Sequence, residues 1–176
     1  LAKTVLWKYY KVPFLAAQIR ALEVRYWIAV GDMLQIGKWV EEIEDRLAVF
    51  AEHVSTIEIV AFARALLALG RAKQAVEIFT KYLPKDKQIP IMERQIELNL
   101  IKSIAFYKSG ERAGSKAIFF NALILAAQGG FIQIFIDEGV ELKPLFIMAL
   151  DDLQKGQFRS GISTSLACFL KTLYSR

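Results

Sequence analysis

One cysteine and one histidine among 176 residues leave little material for metal binding or nucleophilic catalysis. Cys168 has no second thiol, so an intrachain disulfide is excluded and a reducing, cytoplasmic setting fits. Standing among Leu166, Phe169 and Leu170, it is expected to be a small buried hydrophobe. His53 is expected at a surface or a helix end. No run of lysine and arginine marks a nucleic-acid groove. The net charge of +5 is spread over 13 basic and 10 acidic side chains in residues 1–88, and 10 and 8 in residues 89–176. Direct DNA binding by this segment is therefore not expected. A clean membrane span is also lacking. Ala117 to Ile136 runs 20 residues without a charge, but Asn121, Gln128 and Gln133 interrupt it and Gly129-Gly130 cuts it. Two shorter apolar segments fit better.

What is present is helical periodicity. Apolar residues recur at three- and four-residue spacing, and strand signals are nearly absent. Pro13 suits the first turn of a helix running to about Ala29. A second helix follows Gly31 with Met33, Ile36, Trp39, Val40, Ile43 and Leu47 on one face. Ser55-Thr56-Ile57-Glu58 has capping-box spacing and opens a third. A fourth holds Ala72, Ala75, Val76, Phe79 and Tyr82, ending near Pro84. A loop spans Lys85 to Pro90, and a long helix follows from about Ile91 to Lys108. The next, about Glu111 to Gln128, is expected to pack Ala117, Phe119, Ala122 and Leu123. Phe131 to Asp137 reads as a short helix or a short strand. Val140 to Gln154 and Phe158 to Tyr174 read as closing helices.

Gly31, Gly70 and Gly110 lie 39 and 40 residues apart, each between two helices. A large apolar residue stands four before each (Trp27, Leu66, Phe106) and another nine after (Val40, Phe79, Phe119). Self-similarity at this interval indicates a solenoid, in which each hairpin buries on its neighbour the apolar face it cannot bury alone. The expected fold is all-α, a superhelix of antiparallel helix pairs with a period of about 40 residues. Residues 1–12 are read as the remnant of a preceding helix. The three pairs span 13–51, 55–84 and 88–128, and atypical capping helices fill 129–176. The chain opens on Leu1, not Met, and is expected to be an excised fragment. Apolar residues make up 55% of it. That surplus fits contacts beyond a single core, in a larger parent or an oligomer.

The turn Gly70-Arg71-Ala72-Lys73-Gln74-Ala75, with Phe79 beyond it, resembles the tetratricopeptide pattern. Gly130-Phe131-Ile132-Gln133-Ile134-Phe135-Ile136-Asp137-Glu138-Gly139 resembles the Gly-Tyr-x-Arg-x-Phe-x-Asp-Glu-Gly signature of MalT-like regulators, large LuxR-type activators of bacteria. Gly31, Asp32 and Trp39 coincide with a second segment of that family. The resemblance covers roughly residues 15–150 and implies a tetratricopeptide-like sensor domain. Such a sensor receives an inducer or a regulatory protein and controls ATP-linked self-association. It follows a nucleotide-binding module and precedes a helix-turn-helix domain. ATP and DNA binding belong to those other domains; no phosphate-binding loop stands in this chain, and no cofactor is expected in it. Gln133 replaces the arginine that the family favours, so a salt bridge from that position is lost.

Catalysis is not expected. Asp137/Glu138 and Asp151/Asp152 are adjacent pairs, and neighbours on a helix point in different directions. Helix-end charges or turn contacts account for them. In the Asp137-Glu138-Gly139 motif, Gly139 is expected to supply a left-handed exit from the short helix, or the motif to contact a neighbouring domain. If the turn glycines hold the tetratricopeptide turn position, Gln18, Arg25 and Ile28, then Val60, Arg64 and Leu67, then Glu97, Leu100, Ile104 and Tyr107 face a concave groove. Arg25 and Arg64 share a repeat position and suit a carboxylate or phosphate ligand. Alternatively, Arg64 pairs with Glu97 between repeats. Trp7, Tyr9, Tyr10, Tyr26, Trp27 and Trp39 could stack on a ligand, although Trp27 and Trp39 hold packing positions. The competing reading is a tetratricopeptide-like adaptor that binds proteins and senses no small molecule.

Overall fold

Each helix pair is closed by the same backbone device. In the computed structural model, which describes residues 13–50, 54–83, 91–155, 168–170 and 172, Gly31, Gly70 and Gly110 adopt φ of 72°, 74° and 96°. At each, the next residue's N–H donates to the carbonyl five residues back: Asp32 to Trp27 at 2.9 Å, Arg71 to Leu66 at 2.8 Å and Glu111 to Phe106 at 2.9 Å. This closure satisfies carbonyls that a helix end otherwise orphans, and it needs a positive φ at the glycine. The recurring large residue four before each glycine thus occupies a defined post in the turn.

The elements are α1 (Pro13–Val30), α2 (Met33–Phe50), α3 (Thr56–Ala68), α4 (Ala72–Tyr82), α5 (Met92–Ser109), α6 (Arg112–Gly129), α7 (Gln133–Glu138), a 3₁₀ turn (Gly139–Leu142) and α8 (Lys143–Gln154). Among the described residues there is no strand. The ambiguous segment after Gly130 is helical, and Phe131 N–H donates to Ala126 at 3.1 Å, repeating the closure a fourth time. Expectations for residues 1–12, His53, the loop 85–90 and most of the closing helix 158–174 fall outside the described residues. The chain divides into two compact units, residues 1–85 and 86–176.

In the first unit α3 packs against both α1 and α4, and α2 lies against α1 and α3. Fully buried alanines (Ala63, Ala65, Ala75) allow close helix approach around Phe62, Leu66 and Phe79. Trp39 meets Phe62 edge-on, with ring centroids 6.3 Å apart. The capping box that opens α3 is complete. Ser55 Oγ accepts from Glu58 N–H at 3.3 Å, and Glu58 Oε2 accepts from Ser55 N–H at 3.1 Å. Glu58 also accepts from Arg46 of α2 at 2.8 Å. Replacing Ser55 with alanine is expected to lower stability by about 1 kcal/mol, read from urea unfolding by circular dichroism. An unchanged midpoint contradicts that.

In the second unit α5 and α6 form the tightest pair. Buried Ser115 on α6 donates to the carbonyl of buried Ser103 on α5 at 2.8 Å. A Cβ on Gly114 would stand 2.9 Å from the Phe106 ring, so this crossing favours glycine. Phe119 is fully buried, 6.4 Å from Phe135 and 5.3 Å from Phe146 by ring centroid. Phe169 joins Phe135 at 5.7 Å.

Two expectations fail here. Ala117 is exposed rather than packed, because 100° per residue carries it to the side of α6 opposite Phe119, Ala122 and Leu123. Cys168 is exposed as well. Phe169 and Leu170 supply the inward face of that short segment, and apolar neighbours in sequence do not bury a residue that points the other way.

Candidate binding residues

Gln18 and Arg25 stand on α1 and Arg64 on α3, helices that pack on each other, and all three side chains are half-buried. Arg25 and Arg64 each precede a turn glycine by six residues. The equivalent residue in the third pair is Ile104, 3% exposed. The guanidinium column therefore has two members. Neither arginine is free; each already takes part in an interaction within the protein. An incoming carboxylate or phosphate would have to compete for forks of donors already engaged.

Three residues expected to line a groove are interior instead. Val60, Leu100 and Ile104 are 5%, 0% and 3% exposed. α3 and α5 are covered on more than one side, so facing a neighbouring helix and facing a groove exclude each other at those positions. Ile28 and Leu67 are half-buried. Arg64 belongs to the first unit and Glu97 to the second. Within its own unit Glu97 is approached by Arg94 at 3.4 Å. Tyr107 is half-buried, and one face of its ring is taken by Arg112, whose guanidinium carbon sits 4.4 Å from the centroid. Trp39 is interior at 4% exposure, whereas Trp27 is half-buried and Tyr26 exposed. Trp7, Tyr9 and Tyr10 lie outside the described residues.

Several polar contacts have no local signature in the sequence. Glu44 of α2 accepts from Arg71 at 3.1 Å and from Gln74 at 2.7 Å. The polar positions of the turn Gly70–Ala75 thereby tie α4 to α2. In the second unit Lys108 of α5 pairs with Glu141 in the 3₁₀ turn at 2.6 Å. Lys116 of α6 meets Asp152 of α8, whose residue is 5% exposed. The paired acids of α8 thus have different lives. Asp151 is exposed and receives Lys155, and that hydrogen bond, then its charge, hold the Lys155 ammonium above the ordinary lysine range. Asp152 faces inward.

The Asp137-Glu138-Gly139 motif is divided in the same way. Asp137 is exposed and accepts from Gln133 Nε2 at 2.7 Å, so the glutamine keeps a neutral hydrogen bond to the acid where an arginine would make an ion pair. Glu138 is 9% exposed. Gly139 has φ 56° and ψ −133°. The positive φ was expected, but that ψ is far from the left-handed helix. Gly139 therefore turns the chain into the 3₁₀ segment, and does not close α7 as Gly31, Gly70 and Gly110 close their helices.

Among the described residues no three His, Cys, Asp or Glu side chains cluster as metal ligands, and no helix is long and apolar enough to cross a membrane. No curated protein and no solved structure matches the chain. Residues 5–152 match the family described as the MalT-like TPR region. The chain belongs to that family of tetratricopeptide-type helical repeats.

Proposed function

We propose that this chain is the effector-binding and self-association region of a LuxR-type transcriptional regulator. It takes an inducer or a regulatory protein, has no chemistry or cofactor of its own, and passes the event to nucleotide-binding and helix-turn-helix domains. The observation that carries this reading is the family match over residues 5–152, joined to the Asp137-Glu138-Gly139 signature. A ligand moves such a protein only through a difference in affinity between two states. The α1 and α3 faces bearing Gln18, Arg25 and Arg64 are the first place to look for it.

Thermal unfolding against a panel of phosphorylated and carboxylated metabolites tests the reading. A true effector at a hundredfold excess over its dissociation constant stabilises the protein by about 2.7 kcal/mol. Arg25→Ala and Arg64→Ala are expected to weaken that gain at least about tenfold in affinity, as loss of charge-assisted hydrogen bonds does. Should both leave every affinity unchanged, the arginine site is wrong. Should no small molecule stabilise the chain while a protein partner binds it, the adaptor role replaces the sensor.

A further inference from the structure

We infer that Met92 is a site of reversible oxidation, a thioether latch between the start of α5 and the end of α6, whichever effector the chain receives. The sequence holds three methionines, Met33, Met92 and Met148. Met92 is 38% exposed and is the first residue of α5. A Cβ built on Gly129, the last residue of α6, would stand 3.3 Å from the Met92 sulfur and closer still to the Phe131 ring. Sulfur and ring edge are therefore less than about 6 Å apart, in the range of a favourable thioether–aromatic contact. They share the space that a side chain at position 129 would fill.

The ring is the fixed member of this contact. Phe131 follows Gly130, whose φ of 68° closes α6, and the Phe131 N–H donates to the Ala126 carbonyl at 3.1 Å. The methionine is the movable member. Its side chain has three rotatable bonds, and Ile91 at the N-cap offers no side-chain acceptor to the free N–H groups of the first turn of α5. Gly129 and Met92 are both exposed, so a small peroxide reaches the sulfur from water. The sulfur lone pair attacks one oxygen of hydrogen peroxide, and the S–O bond forms as the O–O bond breaks. The departing hydroxide takes the proton of the transferred hydroxyl and leaves as water. The sulfur loses two electrons and the peroxide gains them. The product is a polar sulfoxide. Its added oxygen crowds the ring edge and its dipole favours water, so the side chain swings out and the first turn of α5 loses its hold on α6. Thiol-dependent sulfoxide reductases reverse the step. Met33, 46% exposed, stands at the start of α2 in the first unit and oxidises without touching this contact.

Titration of the full chain with hydrogen peroxide tests this, in a Cys168→Ser background because the exposed thiol also reacts. Peptide mass spectrometry counts the oxygens on each methionine, and circular dichroism gives the melting temperature. Oxidation at Met92 is expected to lower the melting temperature by about 3 °C, the scale of losing a sulfur–aromatic contact in a chain of this length. Met92→Leu keeps an apolar contact without a reactive sulfur and should resist that fall, whereas Met33→Leu should not. Met33→Leu/Met148→Leu leaves Met92 as the sole methionine and should show the full fall, so the test stands even where Met92→Leu folds poorly. Incubation with the two sulfoxide reductases, one for each epimer, and a thiol reductant should restore the starting value. Met92 staying reduced while Met33 is oxidised overturns the inference. So does an oxidised Met92 that leaves melting unchanged, a folded Met92→Leu that falls as far as its parent, or a fall that the reductases do not reverse.

Discussion

Phe119→Ala is expected to lower the stability of the second unit by about 4 kcal/mol, in the range for emptying a large aromatic from a core. Phe119 is fully buried and touches Phe135 and Phe146 edge-on. Its loss removes the apolar transfer energy, leaves a void the rigid helices cannot close, and forfeits two ring contacts. It also stands nine residues after Gly110, where Phe79 stands relative to Gly70 and Val40 relative to Gly31, and all three are interior. The replacement therefore tests the repeat as well as the core. Urea unfolding followed by circular dichroism gives the change; a loss under about 1 kcal/mol, the scale of an ordinary surface or half-buried change, contradicts the assignment.

The second large effect comes from Lys116, and it is asymmetric. Asp152 is 5% exposed, and its Oδ2 lies against the Lys116 ammonium without accepting a well-directed hydrogen bond. The lysine side chain itself retains 35% of its exposure. Lys116→Met abandons the carboxylate in the interior and is expected to cost about 3 kcal/mol, the low end for breaking a buried pair. Asp152→Asn is expected to cost less, because the freed ammonium can reach water along a flexible stem. The double change Lys116→Met/Asp152→Leu should recover most of the loss, since replacing both charges removes the desolvation penalty with the attraction. Urea midpoints for the three variants and the wild type decide this. Equal losses for both single variants would mean the pair behaves as a surface contact.

Local rules account for what the sequence showed in advance. Capping chemistry at Ser55 and Glu58, turn glycines at fixed spacing, and the three-and-four rhythm of apolar residues all act within one helical turn or one hairpin. They place the ends of α1, α5 and α6 within a residue or two, whereas the expected helix Val140–Gln154 starts only at Lys143, after the 3₁₀ turn. The same rules fail where the third dimension decides. Leu100 and Ile104 satisfy the spacing of groove residues and are buried, because α6 and the closing elements occupy that side of α5. Cys168 has apolar neighbours and faces outward. Glu44 with Arg71, and Lys108 with Glu141, join charges 27 and 33 positions apart, and nothing in either segment alone selects the partner. Where a charge pair is local, as with Arg94 and Glu97 one helical turn apart, helix spacing alone brings the partners together.

The hairpin corners bear on how this chain tolerates sequence drift. At Gly31, Gly70 and Gly110 an added Cβ would find nothing within 4 Å. A survey of surviving substitutions should nevertheless find these exposed spots narrowly restricted, with asparagine the best-tolerated newcomer, because the left-handed backbone alone costs other residues about 1–2 kcal/mol. Intolerance on the outside of this protein is therefore no sign of a ligand. It can mark a bend that only a residue without a side chain makes cheaply.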